Sequence, residues 1–136
     1  MEWPASILDT SVLVELARQG RFELLRVLGE PRLVPDIVDA ELGSGKDRHP
    51  EHHARYARAL AEGLMSVVAM QPGESAYDEY LRLRLARTSP ARNRGEDACV
   101  ALAITLPGSI VFTNDDRGAK RARIELGDPA RVRAFP

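Results

Sequence analysis

The sequence has a single cysteine, no long apolar run and no recognisable leader. With Cys99 alone, no disulfide can form within the chain, which is typical of proteins in a reducing cytosol. Cys99 lies in the apolar stretch 98–102, so we interpret it as a core residue. No segment approaches the roughly 20 apolar residues of a membrane helix, and the N-terminus lacks a secretory signal pattern. These absences predict a cytoplasmic protein without a membrane anchor.

The sequence also lacks an excess of either charge. Its 19 basic and 20 acidic residues give a formal net charge of −1. This excludes an overall basic field that would indicate a nucleic-acid partner, although charge can still be segregated on one face. Hydrophobic residues make up 44% of the chain, which is typical of a globular protein rather than a disordered one. With no repeat, low-complexity segment or linker, residues 1–136 are predicted to form one domain.

Short apolar runs alternate with amphipathic segments along the chain. The predicted strands are 5–9, 33–34, 64–70, 109–113 and 131–134. The predicted helices are 12–19, 22–28, 37–42, 54–61, 74–87, 96–105 and 117–126. Strands that alternate with helices imply parallel βαβ units. The sequence therefore predicts an α/β protein, a three-layer α/β/α sandwich around a central, mostly parallel sheet.

Acidic residues follow two of the predicted strands. Asp9 closes the run 5–8, and Asp115 comes shortly after the run 109–113. Ligands of open parallel sheets bind outside the carboxyl ends of the strands, where both aspartates would lie. Asp97, in the first turn of an otherwise uncharged helix, and Glu41, on an amphipathic helix, are further candidates. Such a cluster would repel itself without a hard cation such as Mg²⁺ or Mn²⁺, which indicates metal-assisted chemistry on phosphate.

Ordinary structural roles remain open for several of these acids. The helix dipole favours an acid in the first turn, which would explain Glu96 or Asp97. An isolated glutamate on an amphipathic helix is usually a surface residue, and Asp36 and Asp39 compete with Glu41 for the role. Asp116 is either a further metal ligand or the N-cap of the last helix, and we favour the cap.

Two basic segments lie next to the acids in the sequence. Arginine binds phosphate through a planar fork of donors, although a run of charges usually marks a solvated helix face. A group of three histidines within 49–53 could bind a transition metal, but we interpret it as surface because no matching ligands occur elsewhere. The candidates for contact with a phosphate backbone are Arg87, Arg92, Arg94 and Arg117.

Across almost its full length the chain resembles a PIN domain, the nuclease module of VapC-type toxins, or a closely related PIN-like subgroup. Four short motifs in the same order carry the resemblance: Ile7-Leu8-Asp9-Thr10-Ser11, the run 34–42, Gly95-Glu96-Asp97-Ala98 and Thr113-Asn114-Asp115-Asp116-Arg117. The resemblance implies that Asp9, Glu41, Asp97 and Asp115 are catalytic and bind Mg²⁺ or Mn²⁺. Ser11 and Thr113 would orient these carboxylates or a bound water.

The resemblance also implies a function. We expect a metal-dependent endoribonuclease that hydrolyses RNA, forms a homodimer and acts as the toxin of a toxin–antitoxin pair. The alternative is a non-cleaving PIN-like domain that binds nucleic acid or serves as a scaffold. Asp97→Asn is expected to abolish cleavage and leave the fold intact. An antitoxin or a second copy is expected to pack on exposed apolar residues of the first two helices, namely Leu13, Leu16, Phe22 and Leu25.

Overall fold

The structure is a computed structural model that describes residues 4–87 and 93–135. Its described strands are β1 (Ser6–Leu8), β2 (Arg32–Pro35), β3 (Ser66–Val68), β4 (Ile110–Phe112) and β5 (Val132–Arg133). They form a parallel sheet in the order β3-β2-β1-β4-β5. The chain thus builds the sheet outward from β1 in one direction, then returns to the other side of β1 for β4 and β5. This reversal creates a switch point between β1 and β4.

Helices connect the strands and cover the sheet, which confirms the predicted three-layer sandwich. The described α-helices are α1 (Thr10–Gln19), α2 (Asp36–Ser44), α3 (Pro50–Ala61), α4 (Ser75–Leu85), α5 (Arg94–Thr105) and α6 (Asp116–Leu126). Two 3₁₀ helices span Phe22–Val27 and Pro129–Arg131. None of the helices in residues 4–87 and 93–135 has the length and apolarity that crossing a bilayer requires.

The central helix α5 organises the core. It contacts β1, β2 and β4, and residues 98–103 of this helix are all buried. Burial on nearly all sides is typical of a helix that carries no charge beyond its first turn. Cys99 is also buried, as predicted. Because α5 lies across the middle of the sheet, its first turn comes to the carboxyl ends of β1 and β4.

Several local predictions differ from the structure. The segment predicted as a second α-helix forms the 3₁₀ helix Phe22–Val27. Helix α3 begins at Pro50, four residues earlier than predicted, because proline suits the first helical turn, where an N–H has no intrahelical partner. The prediction that a protein partner packs on exposed apolar residues of the first two helices is also wrong. The four residues belong to the hydrophobic core, so they are not available to a partner: Leu13, Leu16, Phe22 and Leu25.

Candidate functional site

Four carboxylates line one pocket at the switch point of the sheet. Asp9 directly follows β1, and Asp115 precedes α6 after β4. Glu41 reaches the pocket from α2, and Glu96 reaches it from the first turn of α5. The cavity measures about 190 Å³, and its other lining residues are Thr10, Ser11, Asn93 and Gly95. The sheet topology and three of the predicted acids thus converge where open parallel sheets bind ligands.

The carboxylate of Asp9 is buried and held by two hydroxyl groups. Ser11 Oγ donates to Asp9 Oδ2 at 3.0 Å, and Thr113 Oγ1 donates to the same oxygen at 2.8 Å. The backbone N–H of Asn114 donates to Ser11 Oγ at 3.0 Å. Asp9 is also the N-cap residue of α1. The hydroxyl pair restricts how this carboxylate can rotate.

Glu41 is held at both of its oxygens. Thr10 Oγ1 donates to Glu41 Oε2 at 2.8 Å, and the backbone N–H of Gly95 donates to Glu41 Oε1 at 2.7 Å. A Cβ on Gly95 would lie 2.8 Å from both Glu41 Oε2 and Thr10 Oγ1. A side chain at this position would therefore displace Glu41 or Thr10, and glycine lets α5 approach Glu41 so closely.

The structure distinguishes Glu41 from the two aspartates that compete with it in sequence. Asp39 Oδ1 accepts a hydrogen bond from the Tyr56 hydroxyl at 2.8 Å, and Asp36 Oδ2 accepts one from the Met70 N–H at 3.3 Å. Neither aspartate lines the acidic pocket. Of the three candidates in this segment, Glu41 is the one that faces the pocket.

The two aspartates at the start of α6 have different positions. Asp115 is the N-cap, and its Oδ1 accepts from the Arg117 N–H at 3.1 Å. Asp116 is the first helical residue, is exposed and does not line the pocket. The interpretation of Asp116 as the cap is wrong by one residue, since Asp115 keeps the extended backbone that a capping residue adopts.

Asp97 was predicted to join this cluster, and the structure places it elsewhere. Its side chain is 1% exposed and forms ion pairs with three arginines. Arg84 Nη1 lies 2.8 Å from Oδ2, and Arg121 Nη1 lies 2.7 Å from Oδ1. Arg87 binds both oxygens, with Nε at 3.0 Å and Nη2 at 2.7 Å. Because α5 turns by about 100° per residue, residues 96 and 97 cannot face the same pocket.

Glu96 takes the place that was predicted for its neighbour. Its side chain is 11% exposed, and Arg87 Nη2 contacts Oε1 at 2.7 Å. Burial raises the pKa of Glu96, the Arg87 contact opposes this rise, and the negative charges of Asp9 and Asp97 add to it. The pocket therefore contains carboxylates that repel each other.

A glycine in α6 is the sequence signal that could have identified Glu96. Gly118 is buried within the helix, where glycine costs about 1 kcal/mol relative to alanine. A Cβ at this position would lie 2.6 Å from Glu96 Oε2 and 3.5 Å from Asp115 Oδ2. A glycine inside a helix, three residues after Asp115, indicates that another group approaches the helix there.

The four arginines predicted to contact phosphate divide into three cases. Arg87 is largely buried in its bonds to Glu96 and Asp97, so that prediction is wrong for a phosphate-binding role. Arg92 lies outside the described residues. Arg94 and Arg117 are exposed in the first turns of α5 and α6, next to pocket residues. The role of Arg94 and Arg117 in phosphate contact stays a prediction.

The pocket has the oxygen ligands that a hard cation prefers, but its carboxylates are too far apart to hold one together. Carboxylate oxygens are the ligands that Mg²⁺ and Mn²⁺ prefer, and the mutual repulsion of Asp9 and Glu96 would be relieved by positive charge. Within the described part of the chain, however, no three Asp, Glu, His or Cys side chains are grouped closely enough to hold a metal ion. Any ion would therefore have to draw these side chains together or bind partly through water.

A comparison with protein families identifies the family of the chain. A family model described as a PIN domain matches residues 5–127, a range that contains all four pocket carboxylates. No curated protein sequence matches the chain. PIN domains have a nuclease-like fold and are generally nucleases. Because the match extends over most of the sequence, the chain belongs to the PIN domain family.

Proposed function

We propose that this protein is a metal-dependent endoribonuclease that hydrolyses phosphodiester bonds of RNA. The observation that carries the proposal is the convergence of Asp9, Glu41, Glu96 and Asp115 on one pocket at the switch point of the sheet. Carboxylates gathered at such a position, in a family whose members are generally nucleases, are suited to metal-assisted phosphate chemistry. The assignment differs from the sequence prediction in one ligand, because Glu96 replaces Asp97.

In this proposal the four carboxylates hold Mg²⁺ or Mn²⁺, directly or through water. When bound, the cation supplies a water of lowered pKa and neutralises charge on the scissile phosphate. Asp9 and Glu41 are already oriented by hydroxyl and backbone donors, so less entropy is lost when they bind a ligand. Arg94 and Arg117 bind the phosphates that flank the scissile bond.

We further propose that the protein is the toxin component of a toxin–antitoxin pair and forms a homodimer in the cytoplasm. The exposed apolar residues of α4 and α6 support a protein-binding surface. Leu85 is 86% exposed and Ile124 is 72% exposed, and the ion pair between Arg82 and Glu125 joins the two helices beside them. Size-exclusion chromatography of the wild type and of Leu85→Ser would test the dimer, which the variant should weaken.

A second candidate function is supported by a specific observation. Because no three metal-ligating side chains are grouped in the described residues, the same fold could bind nucleic acid or serve as a scaffold without cleaving. The two functions differ in a measurable way. A nuclease requires the metal for turnover, whereas a binding domain retains affinity for RNA in the presence of a chelator.

Cleavage of a mixed RNA pool by purified protein tests the proposal. The wild type, Asp9→Asn and Asp116→Asn are each incubated with Mn²⁺ or Mg²⁺, and again with EDTA. Asp116→Asn is the matched control. It removes the charge of an exposed aspartate that is adjacent to Asp115 but does not line the pocket. We expect cleavage by the wild type and by Asp116→Asn, no cleavage by Asp9→Asn, and no cleavage with EDTA.

Each other result has a defined meaning. Equal cleavage by Asp9→Asn would contradict the site and indicate a contaminating nuclease. RNA binding without cleavage by any variant would support the non-cleaving domain. If the wild type neither cleaves nor binds RNA, both functions are contradicted.

A further inference from the structure

A second pocket opens directly beside the acidic one. It lies among α1, α2 and α3 and measures about 120 Å³. Thr10 and Glu41 line both pockets, so the two share a wall. A molecule whose phosphate lies at the carboxylates would therefore have an adjoining group within reach of the second pocket. Other lining residues of the second pocket include Val14, His49, His52, His53 and Tyr56.

The walls of this pocket are aromatic and aliphatic. The rings of His49 and His52 stack in parallel, with centroids 4.8 Å apart and planes at 12°. Tyr56 is buried, its hydroxyl donates to Asp39 at 2.8 Å, and its ring lies 6.5 Å from that of His53. Val14, although apolar, remains 45% exposed. The pocket is thus lined by a buried tyrosine ring and by a stacked pair of imidazole rings.

We propose that this pocket binds one nucleobase of a single-stranded RNA whose phosphate lies at the acidic pocket. This inference rests on the proposed function. Bases of unpaired RNA stack on aromatic side chains, including histidine, and the stacking tolerates any base. At about 120 Å³ the cavity is well below the roughly 300–1,000 Å³ of typical ligand sites, so it admits one ring system rather than a peptide segment.

The shared wall favours a nucleotide over a protein side chain. A base is joined to its phosphate by a short ribose link, so neighbouring pockets for the two groups suit one ligand. The pocket beside Glu41 would then select unpaired RNA, because a base held in a duplex cannot enter it. His49 and His52, which the sequence alone indicated as surface residues, would stack on the base.

A binding experiment with abasic RNA tests the inference. A short single-stranded RNA is compared with a series in which one abasic position moves along the chain, with Ca²⁺ in place of Mg²⁺. For the wild type, we expect affinity to fall about tenfold when the abasic position reaches the pocket. His52→Ala should bind the intact RNA about tenfold more weakly and show no further loss at that position.

Two further variants separate stacking from a loss of structure. His52→Phe keeps a flat aromatic ring and should retain the position-specific loss. Glu51→Ala removes the exposed neighbour of His52 on α3, which does not line the pocket, and should behave as the wild type. All four proteins are compared by thermal unfolding to verify that each is folded.

The inference would be overturned if base removal has the same effect at every position, if His52→Ala weakens intact and abasic RNA equally, or if the wild type does not bind RNA. A changed oligomeric state of His52→Ala with unaltered RNA affinity would also overturn it and assign the pocket to a protein interface. Cleavage of the same RNA with Mn²⁺ is measured separately. Absence of cleavage together with position-specific base dependence would contradict the nuclease and still support the base pocket.

Discussion

Glu96, in the acidic pocket, and Asp97, which is bound by arginines, are consecutive residues of α5 and have opposite electrostatic surroundings. Glu96 shares its pocket with other carboxylates, and its pKa is raised by burial, with added negative charge from Asp9 and Asp97 and opposition from Arg87. Asp97 is more deeply buried, yet Arg84, Arg87 and Arg121 surround it. The protein surrounds one carboxylate with three arginines and pairs the other with Arg87 alone.

The difference indicates which carboxylate is structural. A buried charge that is fully paired joins elements of the fold, and Asp97 joins α5 to α6 and to the end of α4. A partly paired charge in a pocket is more typical of a functional site. Arg87 contacts both carboxylates, so it links the structural cluster to the position of Glu96.

The largest expected effect comes from Asp97→Asn, which removes the negative charge at the centre of the three arginines. We expect a loss of roughly 3 kcal/mol in the free energy of unfolding, at the lower end of the range for a broken buried pair because Arg121 keeps some exposure. This revises the expectation that the variant leaves the fold intact. Urea unfolding measures it, and Asp116→Asn, the control, should change stability by less than about 0.5 kcal/mol. Equal stability of the two variants would contradict the structural role of Asp97.

Glu96→Gln should have the next largest effect, on activity rather than on the fold. Loss of a metal ligand should reduce cleavage by more than the roughly 10–100-fold that loss of an outer-sphere partner costs. The increase in melting temperature with Mn²⁺ should also be smaller than for the wild type, because binding stabilises by mass action. A fully active Glu96→Gln beside a folded but inactive Asp97→Asn would restore the assignment made from the sequence.

Gly118→Ala tests whether the position of Glu96 matters without changing its charge. The new Cβ would lie 2.6 Å from Glu96 Oε2 and displace the carboxylate, so we expect cleavage to fall about tenfold or more. Gly43→Ala in α2 is the matched control, since its Cβ would meet no atom within 4 Å. The control should retain activity and gain up to about 1 kcal/mol of stability. Equal activity of the two alanine variants would show that the site tolerates displacement of Glu96.

The smallest expected effect is on the pH dependence of stability. The folded-state pKa of Glu96 is raised, so its protonated form stabilises the fold below the ordinary value of 4.5, and this contribution is lost as pH rises through the folded pKa. Without divalent cations, Glu96→Gln should therefore melt at a higher temperature than the wild type at neutral pH. The difference should disappear below about pH 4.5. Thermal unfolding in EDTA across this window measures it, and a constant difference would contradict the raised pKa.

The parallel sheet and the positions of two aspartates could be predicted from local pattern. Runs such as 5–9 and 109–113 are short, apolar and followed at once by helical periodicity, so the parallel sheet and the location of Asp9 and Asp115 followed from general rules. Glu41, which the family resemblance favoured in its segment, lines the pocket in the structure. Its competitors Asp36 and Asp39 are distinguished from it by contacts with residues that lie 34 and 17 positions away in sequence, respectively.

Other features depended on packing between distant segments. The sequence alone did not indicate that Arg87 would be bound by Glu96 and Asp97, because a run of arginines looks the same whether or not acids from other helices reach it. The apolar residues of α1 and the following 3₁₀ helix were predicted to be a partner surface. In the structure they contact the core, since α3 folds back over α1.

Sequence by itself thus determined the fold class, the strand ends and the presence of acids at those ends, because these depend on apolar periodicity and on the rules of parallel sheets. Only the tertiary structure decided between Glu96 and Asp97. Both residues lie in the first turn of α5, where either acid suits the helix dipole. The rotation of α5 about its own axis selects the one that faces the pocket. That rotation is set by the packing of its buried residues 98–103 against the sheet and by the arginines of α4 and α6.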